Sequence, residues 1–329
     1  MDFLKFCVAA EVKHIKAIHK AFFEGELKRH FRIFEKRTKK NEGGIMKIGF
    51  IGLGHLGKVM AKRLMAEGVD LIVWNRTKEK AADLGVEVAD TPASLVTKSE
   101  TVFLNLFDSD AVMSVLTGNA GLLEGDCREK VIVDTTTNHF DNVLNFHRLL
   151  KECKGHYLES PVLGSVVPAS QGNLTVLVSG DKDIYEKTKP LLGKIGKNIF
   201  FLERPALAIK MKLINNLVLG TLMSTLSEAI ALAERAGIDK ATAIDILSAG
   251  AGNSAVLNAK KEKILNEDFS TQFSSALIYK DLHYLQDLAR TMKIPLFSAS
   301  LTKELFGMTF VKGIADLDMA AVYRIMKEF

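Results

Sequence analysis

The chain has 329 residues, room for two domains at roughly 100–200 residues each. Its 47% hydrophobic and 25% charged residues are ordinary for a globular protein and argue against a disordered chain. The formal charge of +5 lies wholly in residues 1–45, which hold 11 Lys/Arg against 6 Asp/Glu; the neutral remainder gives a nucleic-acid partner no support.

Residues 1–44 read as basic and loosely amphipathic, ending in the linker-like run Lys39-Lys40-Asn41-Glu42-Gly43-Gly44. Met46 is a plausible independent start, so residues 1–45 are expected to be an extension dispensable to the core. Asp2, Glu11, Glu24 and Glu26 disfavour a mitochondrial presequence. No run of about 18 uncharged apolar residues occurs, so no membrane span is expected. Cys7, Cys127 and Cys153 are too scattered for a disulfide framework or a metal knuckle. They read as reduced thiols of a cytoplasmic protein.

From Ile45 short β-branched runs alternate with helical stretches. Strands are expected at Lys47–Ile51, Leu71–Trp74, Thr101–Leu106 and Val131–Asp134, with a helix over His55–Glu67. This alternation implies a parallel sheet covered on both faces. Further strands are expected at Leu174–Ser179 and Asn198–Leu202. From about Ala206 the chain turns helical, beginning with one long apolar stretch that stops at Gly237. The expected fold is therefore α/β: a Rossmann-type doubly wound sheet over residues 46–207, then an all-helical domain over 208–329.

The run Gly52-Leu53-Gly54-His55-Leu56-Gly57 is G-x-G-x-x-G directly after a strand and opening a helix. Gly52 permits the tight turn, Gly54 the approach of a pyrophosphate, and Gly57 the close packing of helix on strand. The helix N-terminus offers free N–H groups to the phosphates. The cofactor choice lies after the second strand, where an acid would bind a ribose 2′-hydroxyl. Asn75-Arg76-Thr77 stands there instead. Arg76 can pair with a 2′-phosphate, and Asn75 and Thr77 add neutral donors, which favours NADP.

At this point the chain from Met46 resembles the β-hydroxyacid dehydrogenase family. That family includes 3-hydroxyisobutyrate dehydrogenases, tartronate semialdehyde reductases and glyoxylate/succinic semialdehyde reductases. Five blocks stand in the family's order: the glycine turn, Asp134-Thr135-Thr136-Thr137, Glu159-Ser160-Pro161-Val162-Leu163-Gly164-Ser165, Lys210–Asn216, and Asp268–Phe273 followed by Lys280-Asp281-Leu282. The resemblance implies that Leu106 and Phe107 cover the cofactor and that Thr137 bonds near the nicotinamide ribose. It implies that Phe273 packs over the nicotinamide end, a core aromatic being the alternative, and that Lys280 binds cofactor. Asp281 reads as a structural partner.

In the third block the family pattern is D-x-P-V-S-G-G, a loop that binds the substrate carboxylate. Glu159, Leu163 and Ser165 depart from it. Pro161 and Val162 belong to this substrate-binding loop, and because backbone N–H groups survive a side-chain change, Leu163, Gly164 and Ser165 can still form an anion nest. What Leu163 removes is a hydroxyl, and its larger apolar side chain is expected to reshape the pocket. In the fourth block Lys212 and Asn216, at i, i+4, share one helix face. The resemblance makes Lys212 the proton donor or acceptor and Asn216 its orienting partner. Lys210 reads as a surface lysine. His55 reads as a phosphate contact, and the other histidines lack metal spacing, so no metal is expected.

The resemblance implies hydride transfer between NADPH and a short carboxylate-bearing aldehyde or oxoacid, of glyoxylate or succinic semialdehyde type. Oxidation of a 3-hydroxyacid such as 3-hydroxyisobutyrate is the sibling reading. An imine reductase or a non-catalytic cofactor-binding scaffold is the alternative of another class. Both lose the lysine, so Lys212 discriminates. A homodimer or homotetramer is expected.

Overall fold

The computed structural model describes residues 47–329. The readings for the basic extension, its linker, the start at Met46 and Cys7 lie outside the described residues.

Strand β1 (Lys47–Ile51) leads through the glycine turn into helix α1 (His55–Ala66). There follow β2 (Leu71–Trp74), β3 (Glu87–Val88), α2 (Pro92–Thr97), β4 (Ser99–Leu104), α3 (Ser109–Thr117), β5 (Val131–Asp134), α4 (Phe140–Glu152) and β6 (His156–Glu159). The six strands form one parallel sheet in the order β3-β2-β1-β4-β5-β6. Alternate strand residues belong to two apolar cores: Ile72, Val102, Leu104 and Ile132 to one, and Leu71, Val73, Phe103 and Val133 to the other. Period-two alternation puts these sets on opposite faces, so both faces are covered. The strand order reverses between β1 and β4. Ligands of such sheets bind outside the carboxyl ends of the strands at this place.

Two differences from the expected strands have identifiable causes. β4 ends at Leu104 rather than Leu106, because the Leu106 N–H leaves the ladder for the Thr136 hydroxyl at 3.0 Å. β6 has a polar end at each side, His156 and Glu159, which masks it as a strand; its pairing to β5 makes it one.

Beyond β6 lies a small sheet of β7 (Val162–Leu163), β8 (Leu174–Val178) and β9 (Gly196–Phe201), with α5 (Val166–Ser170) and α6 (Lys182–Leu192) between the strands. The rest is helical: α7 (Leu207–Arg235), α8 (Lys240–Ala249), α9 (Ala255–Leu265), α10 (Ser275–Met292), α11 (Phe297–Val311) and α12 (Val322–Lys327). This is the Rossmann-type sheet with a following helical region.

Helix α7 stops where expected. Gly237 takes φ +82, and the Ile238 N–H closes back on the Ala233 carbonyl at 2.9 Å. By length and composition α7 is the one described helix that could cross a membrane. It packs instead at the centre of the helical region, against α10, α11 and α12. Its residues Ile209, Leu213, Met223 and Ile230 share a buried cluster with Ile51 and Leu104 of the sheet.

Candidate functional site

The glycine turn is built by steric necessity. Gly52 sits at φ +98, and a Cβ there would lie 2.2 Å from the Asn105 carbonyl oxygen. A Cβ on Gly57 would lie 2.1 Å from the Gly52 carbonyl oxygen. Gly54 differs, because a Cβ there meets no atom within 4 Å. It faces open space at the mouth of α1, whose N-terminus no side chain caps. A group with phosphate dimensions and charge fits this cradle.

The turn opens into a cavity of about 480 Å³. Gly52, Gly54, His55, Leu56 and Asn75 line it at the end of the turn. Leu106, Phe107, Thr137, Phe273 and Lys280 line it as well, and so do Val162, Gly164, Ser165 and Lys212. Residues from seven separate stretches thus meet on one surface. Gly164 reaches it through a turn at φ +113.

Several sequence-derived candidates lie off that surface. Leu53 is buried and donates its N–H to Asn75 Oδ1 at 2.8 Å, while Asn75 Nδ2 donates to the Thr77 carbonyl at 2.8 Å. Asn75 therefore ties the second strand's end to the glycine turn as well as facing the cavity. Arg76 and Thr77 are exposed and outside the lining. Lys80 lines the cavity in their place; sequence reading missed it because the three-residue pattern stops at Thr77. Pro161 is buried, and half-buried Leu163 pairs with Thr175 in the small sheet. Neither is among the residues that line the cavity. Lys210 is half-buried, its ammonium 5.7 Å from the Phe140 ring centroid, and is not the surface lysine expected.

Lys212 and Asn216 share the inner face of α7, at 7% and 0% exposure. Only Lys212 reaches the cavity. Asn216 stands behind it, donating from Nδ2 to Asp281 Oδ2 at 2.6 Å and accepting from Asn215 at 3.1 Å. Asp281, on the wall and 1% exposed, was read only as a structural partner. Its Oδ1 lies 3.1 Å from Lys280 Nζ yet has no hydrogen-bond donor. Lys280 Nζ instead donates to the carbonyls of Phe107 at 2.9 Å and Thr137 at 2.7 Å. Charge attraction is present there without alignment, which leaves Oδ1 open as an acceptor.

Burial drives the Lys212 ammonium down to about 8; the Asp281 carboxylate pulls the other way and Lys280 adds repulsion. Lys212, Lys280 and Asp281 together sum to one positive charge when Lys212 is protonated. The site therefore favours an anion and the charge that develops on a carbonyl oxygen.

Two buried carboxyls hold this arrangement from below. Asp134 accepts from the Thr136 N–H at 2.9 Å, Asn138 at 2.8 Å and the Tyr157 hydroxyl at 2.6 Å, which shapes the turn carrying Thr137. Glu159 accepts from the Ala206 and Ile209 N–H groups and so caps the start of α7. Ser179 adds a bond to the Ala208 N–H at 3.0 Å. Burial pushes Glu159 up to about 8. Sequence reading noted Glu159 as a departure without its capping role, since its partners lie 47 and 50 residues away. Among the described residues no three His, Cys, Asp or Glu side chains cluster as metal ligands.

Residues 47–202 match the family model for the NAD-binding domain of 6-phosphogluconate dehydrogenase. Residues 208–326 match that for the NAD-binding part of NADP-dependent 3-hydroxyisobutyrate dehydrogenase. The chain is 32% identical over 285 residues to glyoxylate/succinic semialdehyde reductase 1 of Arabidopsis thaliana, covering 86% of this chain and 99% of that one. It is 34% identical over 282 residues to the Homo sapiens cytokine-like nuclear factor N-PAC, covering 84% of this chain and 51% of that one. The structure of a 3-hydroxyisobutyrate dehydrogenase from Salmonella typhimurium has the same fold, with TM-score 0.80 and 24% identity over 85% of this chain and all of that one. The chain belongs to the β-hydroxyacid dehydrogenase family of NAD(P)-dependent oxidoreductases.

Proposed function

We propose that this protein reduces a short carboxylate-bearing aldehyde or oxoacid with NADPH, of the glyoxylate or succinic semialdehyde type. The observation that carries the reading is the burial of Lys212 on the wall of the cavity that the glycine turn opens. The reductase from Arabidopsis thaliana, matched along nearly its whole length, supports the substrate class.

NADPH, when bound, supplies the hydride. The uncapped start of α1 and the open space at Gly54 receive its pyrophosphate. Arg76, with Lys80 beside the cavity, takes the 2′-phosphate. Lys280 holds the Phe107 and Thr137 carbonyls and so fixes two loops of the wall that would bind the cofactor. Val162, Gly164 and Ser165 face the substrate carboxylate. Lys212, as ammonium, stabilises negative charge on the carbonyl oxygen and donates its proton there. Asn216 acts through Asp281, which it holds against the same wall.

A second reading, oxidation of a 3-hydroxyacid, draws on the match of residues 208–326. The same lysine serves it in neutral form. A scaffold without turnover is disfavoured by Lys212 itself. We also infer a homo-oligomer, because α7 leaves Met211, Ile214, Val218 and Leu232 exposed on its outer face.

The test is a panel of small aldehydes, oxoacids and hydroxyacids with NADPH and with NADH, followed by nicotinamide absorbance. Turnover of glyoxylate or succinic semialdehyde with NADPH is expected. Turnover of 3-hydroxyacids alone would replace this reading with the second. Arg76→Asp is expected to weaken NADPH use more than NADH use.

A further inference from the structure

The segment Thr271–Ser274 supplies four consecutive residues to the cavity wall, Phe273 among them. It lies outside the helices, and its one strand-like contact is a single bridge from Ser274 to Asp318. A stretch with so little regular pairing needs other bonds to stay in one place.

Asp318 provides them. Its carboxylate is fully buried. Oδ2 accepts from the Gln272 N–H at 3.0 Å and the Phe273 N–H at 3.2 Å; Oδ1 accepts from the Ala320 N–H at 3.1 Å. Lys260 of α9 meets the two oxygens at 2.8 and 2.9 Å. Three residues along the same helix, Lys263 donates to the Ser270 carbonyl at 2.6 Å and its hydroxyl at 3.0 Å. Both lysines are more than nine-tenths buried. One face of α9 therefore grips this stretch twice, through the segment's N–H groups by way of Asp318 and directly through the carbonyl of Ser270, the residue that leads into it.

A buried ion pair is a poor device for stability alone. Desolvation offsets its attraction, and apolar residues of equal volume often serve as well or better. Apolar residues could not accept the Gln272 and Phe273 N–H groups or set their direction. We propose that Lys260, Asp318 and Lys263 form a bracket of positioning residues that sets Gln272 and Phe273 against the reacting end of the cavity. The inference rests on the reading above that this cavity holds the nicotinamide and the substrate. None of the three residues lines the cavity, so each acts through the segment.

The test uses the full chain loaded with NADPH and two variants. Lys260→Met/Asp318→Asn removes both charges together and leaves none buried alone. Lys263→Met leaves the ion pair intact and guards against a double variant that fails to fold. Each is expected to lower kcat per NADPH-binding molecule about 10- to 100-fold, the cost of a displacement of order 1 Å. NADPH affinity is expected to hold, because the glycine turn is untouched. The isotope effect with NADPH deuterated at the reacting carbon is expected to rise as hydride transfer becomes limiting. Amide exchange at Gln272 and Phe273, measured without substrate, is expected to quicken. Wild-type kcat per NADPH-binding molecule with wild-type exchange would overturn the bracket. If the wild type reduces none of the panel, the proposed function fails by itself, and exchange still decides the bracket: faster supports it, unchanged overturns it.

Discussion

Lys212 carries the chemistry because it is buried, and the same burial makes it a cost to the fold. Lys212→Met is expected to lower turnover by at least about 10²- to 10⁴-fold, the usual worth of a positioned proton donor. NADPH binding, measured by fluorescence titration, is expected to persist. The variant is also expected to melt a few degrees higher at pH 7, since an apolar isostere replaces a desolvated ammonium. Full turnover in this variant would exclude the mechanism.

The pH dependence has a definite sign. Folding lowers Lys212 from 10.5 to about 8. Between those values the unfolded chain holds a proton that the folded chain has released. Stability from this group therefore rises with pH through that window and is absent below about 8. Reduction, which needs the ammonium, is expected to slow above about 8, and oxidation to quicken, in initial-rate profiles.

The glycines separate folding from binding. A Cβ at Gly57 strikes backbone, so Gly57→Ala is expected to lower the melting temperature of the cofactor-free protein. A Cβ at Gly54 strikes nothing, so Gly54→Ala is expected to leave that melting temperature unchanged and weaken NADPH binding. Equal NADPH affinity in Gly54→Ala would remove the pyrophosphate from this turn.

At the scale of elements, the decisive unit is α7. Its start is unusual, with Ala206 in the left-handed region at φ 68. Glu159 and Ser179 hold that start from the two sheets. Glu159→Ala is expected to cost about 1–3 kcal/mol in denaturant unfolding, the range for leaving buried N–H groups unpaired. Glu159→Gln keeps one acceptor and is expected to cost less. Because Lys212 rides on the same helix, Glu159→Ala is also expected to lower kcat. An unchanged kcat would mean the helix finds its register without the cap.

Elements were legible in the sequence where a local pattern dictated them. Lys47–Ile51, Leu71–Trp74 and Val131–Asp134 are short apolar runs that read as buried strands, and they are strands with those bounds. Gly237 marked the end of α7 because only a left-handed residue closes a helix in that way. β6 was not legible, since its polar ends are satisfied by the neighbouring strand and by α7 rather than by any local pattern.

For the whole molecule, the outer face of α7 sets the main expectation. Met211, Ile214, Val218 and Leu232 recur at helical spacing and are 42–71% exposed. Light scattering coupled to size exclusion is expected to show a dimer or tetramer. Ile214→Glu/Val218→Glu is expected to shift the protein towards monomer. A wild-type monomer at micromolar concentration would exclude the oligomer. A chain begun at Met46 is expected to keep the full reductase rate, because every residue assigned here lies beyond it.

The sequence by itself determined the dinucleotide turn, the parallel sheet and the position of Lys212 on a helix. Each depends on neighbours within a few turns or one strand, where backbone geometry and periodicity act directly. Tertiary structure alone decided what surrounds Lys212. Asp281 stands 69 positions from it in the chain, and Asp318 meets Phe273 across 45. Such partners leave no local signature, because a buried charge is satisfied by whatever the fold brings to it. The same reason applies to Leu163, which the sequence placed in the pocket and whose strand partner is Thr175 of the small sheet.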